Sequence, residues 1–203
     1  MVPIQINPAT PNKVKHLIRT AVEEQFKDVH SMMMLPNCNF AATAILVNLI
    51  SGMSTIFYDQ DGGPGKRFKK MLEDFYPWDS RPDNAPREVV IECLYDTIRN
   101  PLAHSLGVQT QAKTRPGRPP HTIFKKLSGK SFGYGKSGLP KDLLQQLEES
   151  PRPPGPTLTE NAEGGRTLLV DSLYWGVRTM LSRLTDDATR MQKSEKFLAP
   201  LWP

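Results

Sequence analysis

Between Leu35 and Tyr58 the chain carries no Asp, Glu, Lys or Arg, and the centre of this run, Phe40 to Ile50, is strongly apolar. A run of that length can cross a bilayer, or it can form a helix that other helices cover on every side. Polar residues favour the second outcome: Asn37, Asn39, Asn48, Ser51 and Ser54 are spread through the run, and it lacks basic flanks. The chain is therefore expected to fold around a central buried helix, with no membrane as partner.

The rest of the chain must supply the cover. Apolar residues at helical spacing, from Val14 through Ile18, Val22 and Phe26 to Met33, predict a first helix over Pro11 to Met34, with Thr10 as cap and Pro11 in first position. His16 and His30 lie at or beyond the edge of that stripe and are expected in solvent. The central helix is expected from Pro36 to near Tyr58. A glycine-rich turn then leads to a short helix near Gly65, with Phe68, Met71, Leu72 and Phe75 on one face and Lys66, Arg67, Lys69 and Lys70 towards the other. Such cations most often mark a solvated face; phosphate contact is the lesser alternative. Pro77 ends this helix, and further helices are expected over Pro86 to Arg99, from Pro101, and over Lys141 to Glu149. The proline cluster Pro151, Pro153, Pro154 and Pro156 makes 150–165 a linker, and a last helix is expected over Arg166 to Met191. Tyr174 and Trp175 on that helix are expected to pack in the core or at an interface, with support of the motif from across the bundle as the lesser alternative, and the apolar tail Phe197 to Pro203 to dock on the body or on a second subunit. The expected class is all-α: a single domain over 1–203, a bundle of about five to six helices.

The string Tyr95-Asp96-Thr97-Ile98-Arg99-Asn100-Pro101-Leu102-Ala103-His104 carries the chemistry. Arg99 closes an amphipathic run with Val90, Leu94 and Ile98 at helical spacing. Proline disfavours the helical region for the residue before it, so the break between two helices is expected at Asn100, with Asn100 as N-cap, Pro101 in first position and His104 near the first turn. A cation, an amide and an imidazole would then surround a helix N-terminus, where an anion is stabilised. Arg115 and His121 have a similar spacing, but they flank Pro116-Gly117-Arg118-Pro119-Pro120, which is no rigid element.

An Arg-Asn, three residues and a His between two helices of an all-α domain resembles the HEPN superfamily (higher eukaryotes and prokaryotes nucleotide-binding). The motif covers Arg99 to His104, and the helix pattern extends the likeness more weakly along the chain. The resemblance implies a metal-independent ribonuclease, a hydrolase acting on RNA as a homodimer, of the kind found as toxins and in abortive infection and other antiviral defence. It implies Arg99 and His104 as the catalytic pair and Asn100 as the polar residue beside the arginine. An antitoxin or a regulatory partner belongs to the same implication. Asp96, three residues before Arg99, is placed either to share its helical face and hold it or to form an exposed pair with no catalytic role. One chain offers one such Arg and one such His, so a two-fold dimer would bring two of each to a shared cleft. A helix N-terminus at His104 would favour its neutral, base-competent imidazole.

Charge is distributed unevenly. The whole chain is +5, yet 107–141 holds eight Lys or Arg and no Asp or Glu. This window is rich in Gly and Pro, with Phe124, Phe132 and Tyr134 interleaved, and it directly follows the motif. It reads as a basic insertion in which Lys113, Arg115, Arg118, Lys125, Lys126 and Lys130 are candidates for contacting RNA phosphates. The bland reading, a solvated loop with no partner, has equal weight.

No cofactor and no metal is expected. Cys38 and Cys93 are too few for a Cys-rich zinc site and are expected as buried, reduced thiols of a cytoplasmic protein. The first residues, Met1 to Lys13, show no apolar run, so no secretory signal is expected. Gly135-Lys136-Ser137 is not a phosphate-binding loop: Lys130 stands where its first glycine is required. The rival class is a non-catalytic helical protein that binds a nucleotide, a nucleic acid or a partner with the same cations.

Overall fold

The computed structural model describes residues 1–58, 62–78, 81–101, 122–125, 138–162 and 165–200. This part is mostly helical, as expected. Helix α1 (Asn12–Leu17) passes through a π turn (Ile18–Val22) into α2 (Glu23–Met34). Then come α3 (Asn39–Phe57), α4 (Pro64–Phe75) and α5 (Arg87–Glu92), the last continuing as a second π segment (Cys93–Arg99). Later elements are β1 (Thr122–Lys125), α6 (Lys141–Glu149), β2 (Leu158–Glu160), β3 (Arg166–Leu169), α7 (Val170–Thr185) and α8 (Ala188–Leu198).

Helix α3 is the centre. It contacts α2, α4, the second π segment, α7 and α8. Ala42, Leu46, Val47 and Ile50 are fully buried. The cover is not complete, however, and the expectation of burial all round is corrected. Ala41, Asn48, Gly52 and Thr55 form an exposed stripe. These side chains are small or polar, so water against them costs little. The helix is long and apolar enough to cross a membrane, with a mean hydropathy of 1.7, and half of it is buried inside the protein.

Both π segments answer the same packing problem. Val14, Ile18, Val22 and Phe26 are all buried and recur every four residues. On an α-helix a four-residue step overshoots a full turn by about 40°, so such a stripe drifts off the core face. One widened turn restores it. Val90, Leu94 and Ile98 repeat the pattern, and the second π segment falls there.

That segment overturns the expected break at Asn100. Asn100 is helical, with φ −64° and ψ −46°, and its N–H donates to the Tyr95 carbonyl, five residues back. It is not an N-cap, and the helix runs on through Pro101. Proline normally collides with the carbonyl four residues earlier, and a widened turn relieves that crowding.

Other boundaries shift for local reasons. Pro11, not Thr10, sits at the N-cap of α1, with φ −58° and ψ 150°, and no side chain caps the helix. Helix α3 starts at Asn39 rather than Pro36, because Leu35 before the proline is extended and Asn37 takes a left-handed turn with φ 60°. The expected linker 150–165 contains a strand, and the expected helix from Arg166 begins as one. Thr157 to Glu160 follows the last proline and is free to pair: β2 runs antiparallel to β3, with Leu158 opposite Leu168 and Glu160 opposite Arg166. Strand β1 pairs parallel to β3, with Thr122 opposite Arg166, giving the order β1-β3-β2. The last helix is broken between Thr185 and Ala188, where the Asp187 carboxylate accepts from the Arg190 N–H and caps α8.

The Glu148 carboxylate, fully buried at the end of α6, joins four parts of the chain. It accepts from the Tyr174 hydroxyl at 2.5 Å and from the Val2 N–H, meets His30 Nδ1 at 2.9 Å, and lies 3.9 Å from the Arg178 guanidinium. His30, expected in solvent, is therefore a buried partner; His16 is exposed as expected. Burial alone would raise the Glu148 pKa, but the Tyr174 and Val2 hydrogen bonds, the Arg178 charge and the His30 contact outweigh it and hold it below its ordinary 4.5. Trp175 also packs in the body, donating to the Ser150 carbonyl at 2.8 Å. Cys93 is buried, Cys38 only half so, and neither is in a disulfide.

Two outcomes follow. A depressed carboxyl pKa stabilises the fold above pH 4.5, and that stabilisation is lost as pH falls through the lower native value. Glu148→Gln should cost about 3–5 kcal/mol at neutral pH, because Arg178 loses its buried counter-charge, and should flatten the acid limb of a denaturation-versus-pH curve. An unchanged acid limb would refute the role. Glycines give a second check. A Cβ on Gly138 would lie 1.6 Å from the Met34 carbonyl oxygen, whereas one on Gly52 meets nothing within 4 Å. Gly138→Ala should destabilise by about 3 kcal/mol or more, and Gly52→Ala should stabilise by up to about 1 kcal/mol through helix propensity. Urea titrations of both variants would show the opposite signs.

Candidate functional site

Arg99 is the last residue of the second π segment. Its Nε donates to the Ser51 hydroxyl of α3 at 3.2 Å, and its Nη1 donates to the Asn100 side-chain carbonyl at 3.1 Å. Two acceptors on different elements hold two donors, Nε and Nη1, of a planar guanidinium, which sets the plane in which it presents its other N–H groups. The guanidinium carbon also lies 5.6 Å from the centre of the Tyr95 ring, one turn earlier. Arg99, Asn100 and Tyr95 are all half-buried, so the group meets solvent from a partly desolvated seat.

The Tyr95 ring is itself wedged. It packs on Phe68 of α4 with ring centres 5.2 Å apart and planes at 52°. Its hydroxyl end abuts the backbone at Gly65, where a Cβ would come within 2.7 Å of the phenol oxygen. Only a glycine leaves room there. Lys69, one residue beyond Phe68, brings its ammonium to 5.4 Å from the same ring. Arg99 and Lys69 thus share one aromatic ring.

Asp96 pairs with Lys69, not with Arg99: its carboxylate lies 3.4 Å from the Lys69 ammonium. The two side chains are 34% and 38% exposed, which makes this a surface pair worth at most about 1 kcal/mol. The arginine is held by neutral oxygens instead. Among the described residues no carboxylate is paired with it.

Of the residues singled out in the sequence, the structure brings Arg99 and Asn100 into direct contact and places Asp96 one turn earlier on the same helix. Because the helix runs through Asn100, the positive field at the site comes from side chains rather than from a helix start. His104, Lys113, Arg115, Arg118, Lys126 and Lys130 lie outside the described residues. Lys125 ends β1, its backbone paired opposite Leu169. Among the described residues no group of three or more His, Cys, Asp and Glu is arranged to hold a metal ion. Sequence reasoning missed Ser51 and Tyr95, and gave Lys69 a phosphate contact only as the lesser alternative. Tyr95, four residues before Arg99, was within reach of a helical-face argument; Ser51 was hidden in the apolar run and Lys69 among the solvated cations.

Comparison with protein-family models, curated proteins and solved structures found no match for this chain.

The wedge at Tyr95 makes a direct prediction. Gly65→Ala should force the ring aside and cost about 1–3 kcal/mol, while Gly63→Ala, whose Cβ meets nothing within 4 Å, should be close to neutral. Equal stabilities in chemical denaturation would show that Tyr95 is not fixed from this side.

Proposed function

We propose that this protein is a metal-independent endoribonuclease of the HEPN type, working as a homodimer with a shared cleft. The observation that carries the reading is Arg99 itself. Its guanidinium is oriented by Ser51 and Asn100, it is not neutralised by Asp96, and it stands at the start of the Arg99-to-His104 motif. A fixed, permanently charged fork suits a phosphorane, whose charge is spread over equatorial oxygens.

The reaction needs little else. The RNA 2′-oxygen loses its proton to an imidazole and attacks the adjacent phosphorus. The P–O5′ bond breaks, the leaving oxygen takes a proton from a second imidazole, and a 2′,3′-cyclic phosphate remains. Neutral and protonated imidazole coexist near neutral pH, so two copies of His104 can serve as base and acid. One chain contributes one, which is why the dimer is part of the proposal. The basic window after the motif would track the phosphate backbone. A cytoplasmic defence or toxin role, with an antitoxin or other regulator, is what this activity would serve.

The test is cleavage of single-stranded RNA in EDTA. Arg99→Ala and His104→Ala should each lose several kcal/mol, on the order of a thousandfold in rate. His121→Ala, whose spacing from Arg115 is similar but which lacks the helical context, should stay active. A 2′-deoxy nucleotide at the scissile position should resist. RNA that binds but is never cut would support the rival reading, a non-catalytic nucleic-acid-binding protein; cleavage by a strictly monomeric form would exclude the shared cleft.

A further inference from the structure

We propose that the Arg99 site engages two phosphates of one RNA strand, the reacting phosphate on Arg99 and a neighbouring one on Lys69, and that Asp96 occupies Lys69 until the strand displaces it. This rests on the ribonuclease reading for its substrate, but its geometry is independent of His104.

Two cations share one ring. The Lys69 ammonium is 5.4 Å and the Arg99 guanidinium carbon 5.6 Å from the Tyr95 centre, so the two charges cannot be more than about 11 Å apart. Neighbouring phosphates of a single strand fall within that reach. The ring fixes the pair because it is fixed itself, between Phe68 and the Gly65 backbone. Lys66, Arg67 and Lys70 on the same helix add positive potential.

The two cations are held differently, and this assigns their roles. Arg99 is clamped by two neutral acceptors at 3.2 and 3.1 Å, as a group that must meet a transition state in one orientation. Lys69 has a flexible stem, a partly exposed ammonium and a single carboxylate at 3.4 Å, longer than a strong charge-assisted hydrogen bond. An exposed pair of that kind is easily exchanged for a phosphate. Lysine serves well as a point charge for a phosphate whose exact orientation is not critical. Asp96 is then a competitor: it lowers affinity for any anion at Lys69 and keeps the ammonium in place when the site is empty.

The experiment measures binding of the full-length protein to a fluorescent single-stranded RNA with a 2′-deoxy nucleotide at the scissile position, over a salt series. Lys69→Gln should weaken binding about fivefold and reduce the slope of log K against log salt by ~0.7, the loss of one phosphate contact. Lys69→Arg should restore both. Asp96→Asn should tighten binding severalfold, and should do nothing in the Lys69→Gln background. Cleavage of unmodified RNA, run in parallel, separates the two proposals: if the wild-type protein binds but does not cut, the nuclease reading fails while the Lys69 slope still stands or falls alone. An unchanged slope in Lys69→Gln, weaker binding in Asp96→Asn, or no binding of this RNA by the wild type overturns the inference.

Discussion

The structure depends on covering one uncharged helix. Helix α3 has no ionisable side chain to hold it at a surface, so the chain must wrap it, and α2, α4, the second π segment, α7 and α8 all do so. This sets where a functional site can form. Helix α3 is fully buried and apolar at Leu46, Val47 and Ile50, and is half-buried and polar at Ser51. Arg99 meets α3 at that change of character. A guanidinium could not be seated one turn deeper without an unpaired buried charge, and one turn further out it would lose the oxygen that orients it.

Much of the helical frame could be read from the sequence, because apolar periodicity reports burial directly. The departures come from interactions that periodicity does not encode. His30 lay at the edge of its stripe and looked solvated, but a carboxylate far along the chain, Glu148, meets it in the interior. The strands β2 and β3 were hidden because Arg166 to Leu169 continues smoothly into the apolar pattern of α7; what makes it a strand is a partner at Leu158 to Glu160, not its own composition. Proline at 101 was read by its usual effect on the preceding residue, and that effect was overridden locally by a widened turn.

The candidate site was legible in part. The motif string pointed to Arg99, Asn100 and Asp96, and two of these are in contact. Their partners were not legible, because Ser51 and Lys69 come from other helices and neither stands out in its own segment. Asp96 shows the limit of spacing arguments. Three residues before Arg99 on an α-helix it would face the arginine. Within a π segment the angular relation changes, and its carboxylate meets α4 instead.

The π turn therefore does more than keep Val90, Leu94 and Ile98 on the core face. An extra residue in a helix rotates everything after it by about 100° relative to an unbroken α-helix. The side chain following Ile98 is Arg99, so the same insertion that buries Ile98 sets the arginine at the margin of that buried face, against Ser51 and beside Asn100. The carboxylate one turn earlier is carried to Lys69. Packing and electrostatics are served by a single local distortion: the core gains a continuous stripe, and the arginine is separated from the Asp96 carboxylate one turn earlier. Straightening the helix would return Asp96 and Arg99 to a shared face and turn an anion-binding group into half of a surface ion pair.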